Sequence, residues 1–153
     1  MDEDAGAEPT VTEPIGDQAF AAEAHLRDFL VGPQENLEAI EPGLRLFVDD
    51  DGRDGVEYPT PVGNIDILAE DRDGGLVIIE LKVRRGPDAV VGQILRYKGW
   101  VKRHLAGGRP VRGIIIAQHI SDRVRYASAE AGELELKEYS LSIMVTPVLE
   151  FDE

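Results

Sequence analysis

The chain has 153 residues, 42% apolar and 30% charged, with no cysteine and a formal charge of −14. That composition suits one globular domain able to build a core unaided, and the absence of cysteine excludes disulfides and cysteine-ligated zinc. Apolar runs such as Val77–Ile79 and Ile114–Ala117 are far shorter than the roughly 20 residues of a membrane helix, and the acidic start Met1-Asp2-Glu3-Asp4 is unlike a secretory signal, so a cytoplasmic protein without a membrane partner is expected.

Residues 1–16 carry Pro9, Pro14, Gly6 and Gly16 and no apolar period, and read as a disordered acidic tail ahead of a domain over 17–150. Asp17 is a candidate cap for a helix to about Val31, ended by Gly32-Pro33, and a short helical turn over 34–40 precedes Pro42-Gly43. The apolar period then changes to two, and turn residues divide the next stretch into strands near 44–48, 56–60, 64–70 and 76–82. The acidic run from Asp49 to Gly55 is a solvated turn; it lacks the spacing and closing glutamate of a calcium-binding loop. Val90, Ile94, Tyr97, Val101 and Leu105 form one stripe of a helix over 88–105, closed by Gly107-Gly108. A buried strand over 112–118, a helix over 122–131 begun by Ser121, and strands near 134–138 and 141–147 complete a mixed sheet flanked by helices.

Residues 82–125 reverse the charge of the rest, with eleven Lys and Arg against Asp88 and Asp122 alone. A basic segment in an acidic chain can hold a polyanion locally, although its bases could equally cover the solvent faces of two helices.

The strands 64–70 and 76–82 read as an antiparallel hairpin. If the turn Asp71–Gly75 pairs Glu70 with Leu76, Asp66 stands opposite Glu80, and Glu80 and Lys82 share the face of Ile78. Opposed residues have Cβ atoms roughly 4.5–5.5 Å apart, where two carboxylates repel unless a cation lies between them. Lys82 supplies part of that charge, and the pair makes a hard oxygen site suited to Mg²⁺ or Mn²⁺. The alternative is an exposed acidic pair beside a lysine. Gln93 and Tyr97, at i and i+4 on the helix stripe facing the sheet, need polar partners that such a site would provide; otherwise Tyr97 is core and Gln93 a helix-edge residue.

Asp66, Glu80-Leu81-Lys82 and Gln93-Ile94-Leu95-Arg96-Tyr97 resemble the PD-(D/E)xK nuclease signature with its Q-x-x-x-Y extension. The segments Thr60–Asp71 and Val90–Tyr97 are most similar to the C-terminal nuclease domain of NucS/EndoMS endonucleases, and the likeness runs from about Glu23 to Thr146. It implies a restriction-endonuclease-like α/β fold with a mixed central sheet. It also implies Mg²⁺ or Mn²⁺ held by Asp66, Glu80 and the Leu81 carbonyl, with Lys82 orienting or deprotonating the attacking water. Glu23 matches a helix glutamate that reaches metal through water, and Gln93 and Tyr97 would steady the site. Arg84, Arg85, Arg96 and Lys98 would then hold phosphates without reading sequence. Trp100 and Tyr126 could stack bases, although each reads first as core.

The expected activity is metal-dependent hydrolysis of single-stranded, branched or mismatched DNA in repair or defence. A second copy of the chain or an accessory DNA-binding repair protein is an expected partner. The competing readings are a catalytically weak nucleic-acid-binding subunit that needs a partner chain, and an RNA target. Two departures stand out: relatives carry an N-terminal DNA-binding domain where only about sixteen residues stand here, and Asn64 replaces a frequent arginine.

Overall fold

A computed structural model describes residues 16–83 and 89–151. Helices α1 (Gly16–Leu30) and α2 (Gln34–Ile40) are followed by strands β1 (Arg45–Leu46), β2 (Val56–Thr60), β3 (Gly63–Glu70) and β4 (Leu76–Lys82). Helix α3 (Ala89–His104), β5 (Val111–Ala117), α4 (Asp122–Ala129) and β6 (Leu134–Glu138) complete the order. The expected tail over 1–16 lies outside the described residues save Gly16, which already opens α1.

The six strands form one mixed sheet in the order β1-β3-β4-β5-β6, with β2 also paired to β3. β1, β2 and β4 run antiparallel to β3, whereas β4, β5 and β6 are parallel, joined through α3 and α4. Parallel strands need such crossovers, which cover the sheet and demand apolar residues on both strand faces. β4 shows the consequence: Leu76, Ile78, Val90, Ile94, Tyr97 and Ile115 belong to one buried cluster, and Val77, Ile79, Leu81, Leu26, Leu37 and Ile114 to the other. α3 seats closely because Gly113 of β5 leaves room for Ile94, whose Cδ1 lies 2.8 Å from where a Cβ would stand.

The hairpin register is fixed by its turn. Asp71 Oδ1 accepts the N–H groups of Asp73 (3.0 Å) and Gly75 (2.8 Å), its own N–H donates to the Gly75 carbonyl, and Gly74 takes φ +89°. Glu70 therefore pairs with Leu76, as the sequence suggested. Arg112 locks this end of the sheet from β5, pairing with Asp71 at 3.2 Å, Glu135 at 3.3 Å and Glu41.

Three elements differ from expectation. The first strand shrinks from 44–48 to Arg45–Leu46, because β3 offers its edge to β1 over only two residues before β2 takes over. α4 stops at Ala129, with Glu130 as its C-cap and Gly132 at φ +73°. The strand expected at 141–147 does not form: 141–149 have no regular structure, and Leu141, Ile143, Met144 and Val145 are exposed. β6 ends the sheet, and 141–149 add no further strand to it despite their period-two alternation.

Candidate active site

The site forms where β3 and β4 part. Their paired register ends at Ile67 and Ile79, one position short of Asp66 and Glu80. There the Asp66 side chain replaces a backbone acceptor, taking the Leu81 N–H on Oδ2 at 2.8 Å. Glu80 is 2% exposed; its Oε1 is buried without a partner, and its Oε2 lies 3.9 Å from Lys82 Nζ.

Two carboxylates buried together resist ionisation. Burial pushes Glu80 up to about 8, reinforced by the charge of Asp66 and opposed by Lys82. Burial likewise raises Asp66 to about 6, against the Leu81 N–H and Lys82. Glu23, projecting from α1, raises both. Arg27, one turn further along α1, acts on Asp66 in the opposite sense while binding Glu57 at 2.8 Å and Asp28 at 3.4 Å; its Nε is buried without a partner. Glu23 came only from the family resemblance and Arg27 was not singled out, although the i, i+4 spacing that places both on one helical face was legible.

α3 closes the other side. Gln93 Nε2 donates to the Tyr97 hydroxyl at 3.1 Å, and that oxygen lies 2.8 Å from where a Cβ on Gly63 would stand. Tyr97 is buried, and its pKa is raised first by burial, with Glu80 and Asp66 adding to the effect. The structure thus brings together Asp66, Glu80, Leu81, Lys82, Glu23, Gln93 and Tyr97 at one end of the sheet.

The basic segment divides. Arg96, Lys102 and Arg103 are exposed on α3, whereas Arg109 and Arg112 are committed to ion pairs with acids of the fold. Arg84 and Arg85 lie outside the described residues. Lys98 departs from its expected phosphate contact: it is buried, and its Nζ donates to the carbonyls of Gly132 (3.1 Å) and Glu133 (3.2 Å). Burial lowers its pKa, partly offset by Glu133. Lys98→Met is accordingly expected to lower unfolding stability by about 1–3 kcal/mol, read from urea melts, by leaving two carbonyls without their charged donor. Nucleic-acid affinity should stay unchanged; a selective loss of affinity would restore Lys98 to the binding surface.

Tyr126 is exposed, not core, and half-buried Trp100 lies against His104 with ring centroids 4.9 Å apart. The acidic turn is closed on itself: Asp49 Oδ1 takes the N–H groups of Asp51 and Arg53, and Oδ2 the Tyr58 hydroxyl. Among the described residues no group of three or more His, Asp or Glu side chains could cage a metal. The Asp66–Glu80 pair still fits a cation, since one buried carboxylate oxygen lacks any donor and both groups resist carrying charge unneutralised. Such an ion would complete its shell with backbone oxygen and water.

Comparison with known proteins adds independent observations. The family model for the endonuclease NucS C-terminal domain matches residues 22–142. Endonuclease NucS of Corynebacterium diphtheriae is 38% identical over 122 residues, covering 78% of this chain and 47% of that protein. The Frankia alni protein is 37% identical over 110 residues, covering 72% and 45%. Among solved structures, a repair endonuclease from Pyrococcus abyssi superposes with TM-score 0.60 and 27% identity over 84% of this chain and 49% of its own. EndoMS in complex with double-stranded DNA gives TM-score 0.63 and 25% identity over 87% and 51%. The chain thus spans about half the length of the relatives it matches.

Proposed function

The chain belongs to the family of the endonuclease NucS C-terminal domain, and on that premise we propose that it is a metal-dependent endodeoxyribonuclease of PD-(D/E)xK type, acting in the cytoplasm on single-stranded, branched or mismatched DNA. The observation that carries this reading is the buried Asp66–Glu80 pair, raised in pKa and holding an oxygen with no donor, at the splayed ends of two strands. Protein interiors rarely retain such a pair without a positive occupant.

Asp66 and Glu80 would hold Mg²⁺ or Mn²⁺, with the Leu81 carbonyl as a third ligand and Glu23 reached through water. When bound there, such an ion would supply the Lewis acidity that activates water at neutral pH and the positive charge that offsets charge developing on the phosphate. Lys82, restrained beside Glu80, orients the attacking water or takes its proton. The Tyr97 hydroxyl accepts from Gln93, which leaves its own hydrogen for a phosphate oxygen. Arg84, Arg85 and exposed Arg96 neutralise flanking phosphates. Changing Arg84 and Arg85 together to Ala should reduce the slope of log affinity against log salt by roughly 2, alike for all sequences. A loss confined to one sequence would show that they read bases.

The test is cleavage of labelled single-stranded, flapped, mismatched and matched DNA, with RNA alongside, in Mg²⁺, Mn²⁺ or chelator across a range of salt. Cutting of DNA that stops with chelator supports the proposal. Tight binding with no cutting under any condition would replace it with the subunit reading, against which the intact Asp66, Glu80 and Lys82 argue.

A further inference from the structure

Among the described residues, two buried side-chain atoms have no partner, and they are complementary: the donor Nε of Arg27 and the acceptor Oε1 of Glu80. Buried polar groups ordinarily satisfy one another. The Arg27 side chain is only 14% exposed and stands close enough to Asp66 for its charge to ease ionisation of that carboxyl. A guanidinium so placed is a ready fork for carboxylate oxygens, and seated on them it would fill the space a cation needs. It is turned to β2 instead. Nη1 donates to Glu57 Oε2 at 2.8 Å, and Nη2 reaches Asp28, its own neighbour on α1, at 3.4 Å.

The backbone is strained to present Glu57. It takes φ +47° inside β2, a left-handed conformation that glycine adopts freely and a residue with a Cβ adopts at a penalty. Val56 pairs with Ile67 and Tyr58 with Ile65, so Glu57 faces Asp66 across the two strands. Ile65 and Ile67 would share a face in a regular strand, yet they belong to opposite buried clusters. Both strands are therefore bent at one step, the step that holds Asp66 and Glu57. The other non-glycine residue with positive φ among those described, Glu133, follows Gly132 in the turn after α4, where such a conformation is ordinary. Strain within a strand, on a residue whose side chain is engaged, marks a position held for function.

We propose that Glu57 is a positioning residue that holds Arg27 away from Asp66 and Glu80 and so keeps their oxygens open to a cation. This rests on the nuclease reading above and deepens it, because the affinity of the site for metal then depends on an ion pair made outside it. Freed from Glu57, the guanidinium would turn onto Asp66 and neutralise the carboxylates from within the protein. An internal cation would then compete with the metal for the same oxygens.

The test measures Mn²⁺ binding to the whole chain by calorimetry, without substrate. Glu57→Gly and Glu57→Asn remove the anion while tolerating the left-handed backbone, and thermal melts establish that each variant is folded. Either substitution is expected to raise the Mn²⁺ dissociation constant by about tenfold or more, since only the fraction of molecules with Arg27 turned away can take the ion. Adding Arg27→Met to Glu57→Gly should return the affinity to the wild-type value or better, because the competitor is gone. A merely structural ion pair predicts the opposite, a double variant no better than the single one. Wild-type affinity in both Glu57 variants, or a double variant that stays weak, overturns the role of Glu57 and leaves the nuclease reading in place. No Mn²⁺ binding by the wild-type chain overturns both.

Discussion

Replacing Glu80 by Gln is expected to abolish cleavage and to raise the melting temperature of the metal-free protein. Both effects follow from one geometry. Glu80 is buried, resists ionisation up to about 8, and keeps one oxygen without a donor. Glutamine fills the same space without a charge to desolvate, so the fold loses a penalty while the site loses a carboxylate proposed to hold the metal. Metal ligation supports several kcal/mol of transition-state stabilisation, so single-turnover rates should fall roughly 10³-fold or more. Asp66→Ala should cost as much activity without the gain in stability, because the Leu81 N–H loses its acceptor; Asp66→Asn, retaining an oxygen, should melt higher than Asp66→Ala. Activity within tenfold of wild type in clean Glu80→Gln protein would remove Glu80 from the metal site.

The second large effect is on stability against pH. Asp66 and Glu80 move from 3.8 and 4.5 in the ordinary state to about 6 and about 8 when folded. The folded protein therefore binds more protons than the unfolded chain between those limits, and its stability falls as pH rises through them. Asp49, lowered first by the Tyr58 hydroxyl, and Asp71, lowered by the Gly75 N–H and Arg112 despite its burial, act oppositely but only as pH falls below about 4. In chelator, the melting temperature should drop by several degrees from pH 5.5 to pH 8.5. Millimolar Mn²⁺ at pH 8.5 should restore it, since a ligand of the folded state stabilises by mass action. The Asp66→Asn, Glu80→Gln double variant should melt with little dependence on pH or metal. An unchanged slope in that variant would place the responsible groups elsewhere.

The hairpin register was legible because an odd turn beginning at Asp71 leaves one pairing that keeps the apolar residues of both strands buried, and that pairing sets Asp66 against Glu80. The α3 stripe was legible because Val90, Ile94, Tyr97 and Val101 repeat at helical spacing, and all four are buried. What escaped depended on tertiary surroundings. Lys98 sits beside exposed bases in the sequence, yet the turn after α4 folds back to place two carbonyls over its ammonium. Arg27 gains significance only from β2 and Asp66, which are remote in sequence. The alternation at 141–147 is a strand pattern without a strand: the segment leaves its apolar side chains exposed and does not join the sheet that β6 ends.

The bond from the Leu81 amide to Asp66 also gives the site an intrinsic spectroscopic reporter. In an ordinary ladder this proton would face a carbonyl of fixed charge. Here its acceptor is a group that gains a proton in acid and would turn toward a cation when one binds, so the ¹H and ¹⁵N shifts of one backbone resonance register both events. A titration followed at that single cross-peak would yield the apparent pKa values of the carboxylate pair and the metal dissociation constant from the same sample, with no substrate or substitution.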